Sequence, residues 1–333
     1  MKHNSIIKKG LVLTGMCVFL LFNSCKEDKQ SKQEKEVEKE VSVKSEPFFE
    51  LSLAQWSMHK MIFEQNVDPY TFAEKAKGWG FTGLEYVSGL YNKELEKSNF
   101  SKEAIDLFVA KSNAESKKHG MKNLLIMIDG QGDLAASDKK ERQSAVENHY
   151  KWVDAAAAMG CHSIRVNLAG SKTPEDWIAN SVDGLTQLAN YAKAKNINII
   201  VENHGGLSSN GAKLAEIMEK VNMPNCGTLP DFGNFCLRRA DGSVYNGPCA
   251  EEYDIYQGIK ELMPFAKGVS AKSYNFDSSG NETKIDYTKM LQIVHDAGYK
   301  GFVGVEYEGD ILSEEEGILA TKQLLLKAAE GIK

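Results

Sequence analysis

The sequence predicts an α/β fold, a single (β/α)8 barrel. From Phe48 onward, short apolar runs alternate eight times with amphipathic helical stretches. The alternating part spans about 285 residues, near the ~250 typical of that fold. No G-x-G-x-x-G follows any of the runs, so nothing supports the dinucleotide-binding form of the doubly wound sheet, the competing architecture.

The first strand is read over 49–56, followed by a helix over 68–79 that opens on Asp68-Pro69, a cap and then proline in the first turn. Strand two covers 81–87. Helix two runs over 102–119, capped by Ser101 and stopped by Gly120. Strand three covers 121–128, helix three 138–159 with Gly160 as its stop, and strand four 162–168. Helix four begins at Thr173-Pro174-Glu175 and ends near Lys195. Strand five ends in Glu202 and strand six, 226–231, in Asp231. After a long loop come helix six over 251–263, strand seven over 268–273, helix seven over 287–297, strand eight over 301–306 and helix eight over 313–329.

The chain ahead of the barrel (48–333) has a different character. Lys2, Lys8 and Lys9 precede an apolar run, 11–22, too short to span a bilayer but suited to the core of an export signal. The run stops at Asn23-Ser24-Cys25, which resembles a bacterial lipoprotein lipobox with Phe22 where Leu is usual. That resemblance implies a signal peptide over 1–24, lipidation of Cys25 and a cell-envelope location, anchored to the outer membrane and facing the periplasm or the cell surface. An ordinary secretory signal is the other reading. Residues 25–47 form a charged linker with too little apolar content to fold, and Lys26-Glu27-Asp28 resembles the surface-export tag of lipoproteins from Bacteroides-type bacteria. A net charge of -6 gives no support for nucleic-acid binding, which leaves a basic footprint.

Chemistry in such a barrel sits where strands end. The run Ile197-Asn198-Ile199-Ile200-Val201-Glu202-Asn203-His204-Gly205-Gly206 is a buried strand that ends in a carboxylate, an amide and an imidazole. Asp231, Glu306 and Glu85 end strands six, eight and two in the same way. Carboxylates converging on one rim repel one another, and a divalent cation with oxygen ligands relieves that repulsion. Of the histidines, only His59 and His204 follow strands; His119 and His162 precede them, while His149 and His295 lie within helices.

The order Glu202, Asp231, a strand-seven residue and Glu306 resembles the xylose isomerase-like TIM barrel superfamily of sugar phosphate isomerases and epimerases, over essentially all of 48–333. The resemblance implies Mn, Mg, Co or Zn held at those positions, with Glu202, Asp231 and Glu306 as ligands. It also implies a metal-polarised keto or aldehyde sugar from which Glu202 and Glu306 remove and return a proton through a cis-enediolate. The strand-seven position is usually His in a His-x-Lys-Asp pattern, and here Val269-Ser270-Ala271-Lys272-Ser273 puts Ser270 there. Three arrangements fit this departure. His204, two residues beyond Glu202, supplies the imidazole; Lys272, on the face of Ser270, places its ammonium among the carboxylates and replaces the metal outright; or the metal takes three protein ligands and water.

Further candidates are substrate contacts. His59 and Trp56 follow strand one, Asn167 lies near the rim on the face of Arg165, and Glu85 is read as orienting substrate or pairing with Lys272. The turn Gly205-Gly206-Leu207-Ser208-Ser209 offers backbone amides to a phosphate or is a simple turn. Cys236 and Cys249 bracket the loop after strand six and read as a disulfide in an exported protein, whereas Cys161 and Cys226 read as buried thiols.

The expectation is therefore a metal-dependent isomerase or epimerase of a small, unphosphorylated sugar or keto-sugar, since sugar phosphates are largely cytoplasmic. A lyase or hydratase acting on a keto-glycoside uses the same residues. A non-catalytic carbohydrate-binding lipoprotein with a degenerate metal site is the reading from another class. A nuclease fits poorly with the acidic charge and few histidines.

Overall fold

A computed structural model describes residues 46–245 and 247–332. The expected signal peptide, Cys25 and the expected linker up to residue 45 lie outside the described residues. Among the described residues, no helix is long and apolar enough to cross a membrane.

The described residues form ten strands: β1 Glu50–Ala54, β2 Gly83–Val87, β3 Lys122–Ile128, β4 Ser163–Val166, β5 Asn198–Glu202, β6 Cys226–Leu229, β7 Cys236–Arg239, β8 Cys249–Glu252, β9 Val269–Ser273 and β10 Phe302–Tyr307. Eight of them form one sheet in the order β6-β5-β4-β3-β2-β1-β10-β9, and every pair in it is parallel. The free edges of β6 and β9 meet through bridges at Thr228–Ala266 and Asp231–Ser270. There Phe232 N donates to Ser270 O at 3.0 Å and Ser270 N donates to Pro230 O at 2.9 Å. The sheet thereby curls into the eight-stranded parallel arrangement that the alternation predicts.

The helices on the outside begin where the caps predict. The Asp68, Ser101, Asp138, Thr173 and Ser313 side chains accept from backbone N–H groups of their first turns, and Ser313 with Glu316 forms a capping box. Gly120 and Gly160 end their helices at φ 64° and 73°, a region that costs other residues strain.

Several boundaries differ from the sequence reading, among them the ends of strands four and six at Val166 and Leu229, and two others have a visible cause. Strand one stops at Ala54, two residues short of Trp56, because Gln55 leaves the ladder to bond Tyr91 OH and Pro69 O and to accept from Val87 N. Helix six spans Ile255–Leu262, because residues from 249 belong to the antiparallel hairpin β7–β8. The Cys236–Cys249 disulfide ties that hairpin together. Cys161 and Cys226 are buried thiols, as expected.

Inside the barrel, Glu85 on β2 is fully enclosed and accepts from Ser52 Oγ at 2.6 Å. It fits because residue 304 on β10 has no side chain: a Cβ there would lie 2.5 Å from Glu85 Oε1 and 2.6 Å from Oε2. Gly304→Ala is expected to destabilise the protein by about 1–3 kcal/mol through overpacking. Combining it with Glu85→Ala should recover part of that loss, and urea unfolding of the two single variants and the double variant measures the coupling.

Candidate metal and active site

Three carboxylates meet at the C-terminal end of the sheet. Glu202 on β5, Asp231 just after β6 and Glu306 on β10 are buried, and each places one oxygen within 4.8 Å of the others. Asn203 ties two of the strand ends together. Its Nδ2 donates to Asp231 O at 2.9 Å, and its Oδ1 accepts from Asp231 N at 2.8 Å. Pro230 has no N–H to offer the ladder, and the chain turns so that Asp231 Oδ1 accepts from Gly233 N and Asn234 N.

Ser270 fills the gap between two of the acids. Its Oγ lies 2.6 Å from Asp231 Oδ2 and 3.0 Å from Glu306 Oε2. Lys272, one pleat further along β9, is buried with Nζ 3.5 Å from Glu306 Oε1 and 3.3 Å from Glu308 Oε1. Glu202 is held from the other side, where Asn234 Nδ2 donates to Oε1 at 2.8 Å. Arg165 Nε lies 2.8 Å from Glu202 Oε2, a contact of charge without hydrogen-bond alignment. The Arg165 guanidinium also bonds Asp129 at 2.9 Å, and Asn167 Nδ2 donates to the same Asp129 oxygen at 2.8 Å.

The protonation states follow from this packing. Burial pushes Asp231 up to about 8, with Lys272 opposing and the Glu202 and Glu306 charges adding to the rise. Burial likewise takes Glu85 to about 8 against the Ser52 hydrogen bond. Burial raises Glu306 although Lys272 pulls it down. Burial also acts to raise Glu308, but Lys272 outweighs it and holds this carboxyl below its ordinary value. Asp129 is lowered in the same way, burial being outweighed by Arg165. Burial would discharge Lys272, yet Glu306 and Glu308 hold it protonated well above the ordinary lysine value. His204 is pushed down to about 4 by burial, then by Arg165 and Lys272, and is a neutral ring.

These groups fit a divalent cation. Six acids, Glu85, Asp129, Glu202, Asp231, Glu306 and Glu308, surround two cations, Arg165 and Lys272, and one oxygen of Glu202 and one of Glu85 have no hydrogen-bond donor. A hard ion facing Glu202, Asp231 and Glu306 would supply the missing charge, with the Ser270 hydroxyl as a further oxygen donor.

The sequence candidates separate accordingly. Glu202, Asp231, Glu306, Ser270 and Lys272 come together. His204 is not among the converging donors; its ring stacks on Tyr245 with centroids 5.0 Å apart, so it does not replace the missing imidazole. Glu85 does not pair with Lys272, whose partners are Glu306 and Glu308. Trp56 and His59 stack at 4.7 Å, with His59 Nδ1 against Trp56 O and Glu314. Both still line the cleft above the acids, as do Asn167 and His204. The Gly205-Gly206 turn is closed on itself, because His204 N and Gly205 N donate to the hydroxyls of Ser208 and Ser209 and are not offered to a phosphate.

Asp129, Glu308 and Asn234 were missed, and Asn203, the amide at the end of strand five, was given no role. Asp129 follows β3 in Ile128-Asp129-Gly130 and Glu308 lies two residues past Glu306, so the rule that found Glu202 reaches both. Asn234 sits in a loop with no periodicity to flag it.

Residues 73–329 match the sequence family described as the xylose isomerase-like TIM barrel. The chain belongs to that family. A search of curated proteins finds no match. Among solved structures, the xylose isomerase-like barrel resembles the IolI protein with a bound zinc atom, at TM-score 0.62 and 16% identity over 84% of this chain and 98% of that one. It resembles the 3-keto-D-glucoside 4-epimerase YcjR from E. coli at 0.61 and 12%, over 83% and 98% of the two chains. A D-psicose 3-epimerase with D-tagatose from Clostridium cellulolyticum gives 0.58 and 15%, over 84% and 96%. At these identities the likeness is one of fold.

The raised carboxyls set a pH dependence for the chelated protein. Asp231 and Glu85 bind a proton more tightly folded than unfolded, so their contribution to stability is complete below the ordinary carboxylate range and is lost as pH rises through about 8. Thermal unfolding in chelator should show a lower midpoint at pH 8 than at pH 5.5. Added Mn should raise the midpoint more at pH 8 than at pH 5.5, because it has fewer protons to displace there.

Proposed function

We propose that the protein is a metal-dependent isomerase or epimerase of an unphosphorylated sugar or keto-sugar. The observation that carries this reading is the convergence of Glu202, Asp231 and Glu306 within 4.8 Å at the strand ends of a xylose isomerase-like barrel. The sugar epimerases among its structural neighbours support it.

The oxygen-rich donor set suits Mn or Mg better than Zn. When bound, such an ion supplies Lewis acidity to a carbonyl and its neighbouring hydroxyl, acidifying the carbon between them. Glu202 and Glu306 belong to strands separated by β6 and β9, so they approach a substrate from two directions. One removes the proton and the other returns it. Arg165 and Asn234 fix Glu202, while Lys272 and Ser270 fix Glu306, so neither acid has to reorganise during the transfer. A proton removed next to a carbonyl also sets up expulsion of a β-substituent, which makes elimination from a keto-glycoside the second reading.

Replacing Glu202 or Glu306 by Gln is expected to lower turnover by about 10²–10⁴-fold. Exchange of the substrate carbon-bound proton with deuterated solvent should fall with it. Elemental analysis of the parent should find close to one equivalent of divalent metal, which Glu202→Gln loses. Tight sugar binding that is indifferent to chelator would instead indicate the non-catalytic binder, with Lys272 as the cation of the site.

Export and lipid anchoring at Cys25 complete the proposal, and the Cys236–Cys249 disulfide, a bond typical of oxidising compartments, supports it. Cys25→Ser should move the protein from the membrane to the soluble fraction of the producing bacterium, as fractionation and blotting would show.

A further inference from the structure

The cleft over the acids measures about 1300 Å³. Pockets that enclose drug-sized ligands run to roughly 300–1000 Å³, and a single hexose is smaller than such a ligand. The reacting sugar therefore fills only part of this space, and the remainder has a composition of its own.

Large apolar side chains exposed to solvent are few among the described residues, and they gather at the mouth. Phe63, Val244, Tyr245 and Ile311 are 56%, 44%, 43% and 76% exposed, and all four belong to segments that follow barrel strands; only Leu107 lies elsewhere. Phe63 and Tyr245 line the cleft itself. Phe63 stands edge-on to Trp56 at 6.4 Å, and Trp56 stacks on His59. Tyr245 stacks on His204 at the other wall. The first wall follows β1 and the second follows β5 and β6. In the closed order of eight strands β5 is diametrically opposite β1. Two stacks, each pairing an aromatic ring with an imidazole, thus face the cleft from opposite sides, above a floor of carboxylates.

The second wall is braced. The Cys236–Cys249 disulfide crosses the hairpin from the first residue of β7 to the first residue of β8, and Arg239 Nε donates to Val244 O at 3.3 Å next to Tyr245. Gly205, at φ 84°, lets the hairpin tip approach; a Cβ there would lie 2.5 Å from Val244 O. Exposed aromatic rings on a braced support serve a ligand that offers a ring face, and the acids beneath them serve a polyhydroxylated one.

We propose that the cleft is a two-part site whose outer part, between Trp56–Phe63 and Tyr245, binds the ring attached to the reacting sugar, so that the substrate is a glycoside and not a free monosaccharide. This rests on the sugar-converting reading of the acid floor. A second sugar and an aromatic aglycone both present the required face.

The test is equilibrium binding by calorimetry to the Mn-loaded full-length protein. The probes are a matched set built on one keto-glucose: the free sugar and its methyl, glucosyl and p-nitrophenyl glycosides. The glucosyl and p-nitrophenyl forms should bind about tenfold or more tightly than the methyl form, the size of one added ring contact. Phe63→Ala and Tyr245→Ala should each remove most of that gain and leave affinity for the methyl glycoside unchanged; both side chains are exposed, so neither truncation opens the core. The tighter of the two larger probes identifies the second ring as sugar or aromatic. The inference is overturned if all four probes bind alike, or if the variants weaken the methyl form as much as the larger ones. If no probe binds although the acids hold metal, the sugar reading itself fails and this inference fails with it.

Discussion

Burying several carboxylates at one end of a barrel is the constraint on which the rest of this structure depends. Isolated, each charge would cost several kcal/mol in such surroundings or give way to protonation. The fold meets the problem with three devices that act together. Lys272 and Arg165 place fixed cations on two sides of the cluster; Gly304 leaves room for the Glu85 carboxyl below it; and Asn203 joins the ends of β5 and β6 so that Glu202 and Asp231 keep their spacing. The remaining imbalance of charge is what a divalent ion at Glu202, Asp231 and Glu306 would relieve. A barrel with an apolar interior at these positions would be easier to fold and would have no chemistry.

Above that floor the molecule changes character. The walls come from loops of unequal length, and the longest contribution, between β6 and β9, is stiffened by a disulfide and folded into a hairpin of its own. A loop of that length without internal structure would hold an aromatic side chain loosely, since each unrestrained residue carries conformational entropy that binding must remove. Closing it at Cys236–Cys249 removes much of that freedom before any ligand arrives. The same division explains why the acids sit on strands and the rings on loops. Proton transfer requires fixed distances, whereas recognition of a ring face tolerates small shifts.

Much of this was legible in the sequence, and the parts that were not share a cause. Strand ends carrying Glu202, Asp231 and Glu306 announced themselves because a carboxylate at the end of a short apolar strand has no structural reason to be there. The Cys236–Cys249 pairing was legible from its place in one loop. Residues whose role depends on partners remote in sequence were opaque: nothing around Asn234 indicates that its amide reaches Glu202, and Gly304 reads as an ordinary strand glycine until Glu85 is seen facing it. The expectation that His204 joins the metal ligands assumed that the strand continues for two residues beyond Glu202. The chain instead turns to let Asn203 pin Asp231, and the imidazole leaves toward Tyr245. The end of strand one failed for a similar reason, since Gln55 finds better partners outside the ladder than within it.

The serine at position 270 shows what the departure from the family pattern does to the site. One hydroxyl carries one hydrogen, yet Ser270 Oγ lies within hydrogen-bond distance of both Asp231 and Glu306. With a proton on Asp231, whose value burial raises to about 8, both contacts are satisfied: Asp231 donates to Ser270, and Ser270 donates to Glu306. A metal held by the same oxygens would take the place of that proton. Where an imidazole at this position would offer a nitrogen lone pair to an ion, the hydroxyl would let proton and metal compete for one seat, and any affinity of the site for metal would rise with pH through the neutral range. Lys272 limits how far this goes. Its ammonium opposes the rise that burial imposes on Glu306, the residue proposed to move the substrate proton, whichever neighbour occupies the seat at Asp231.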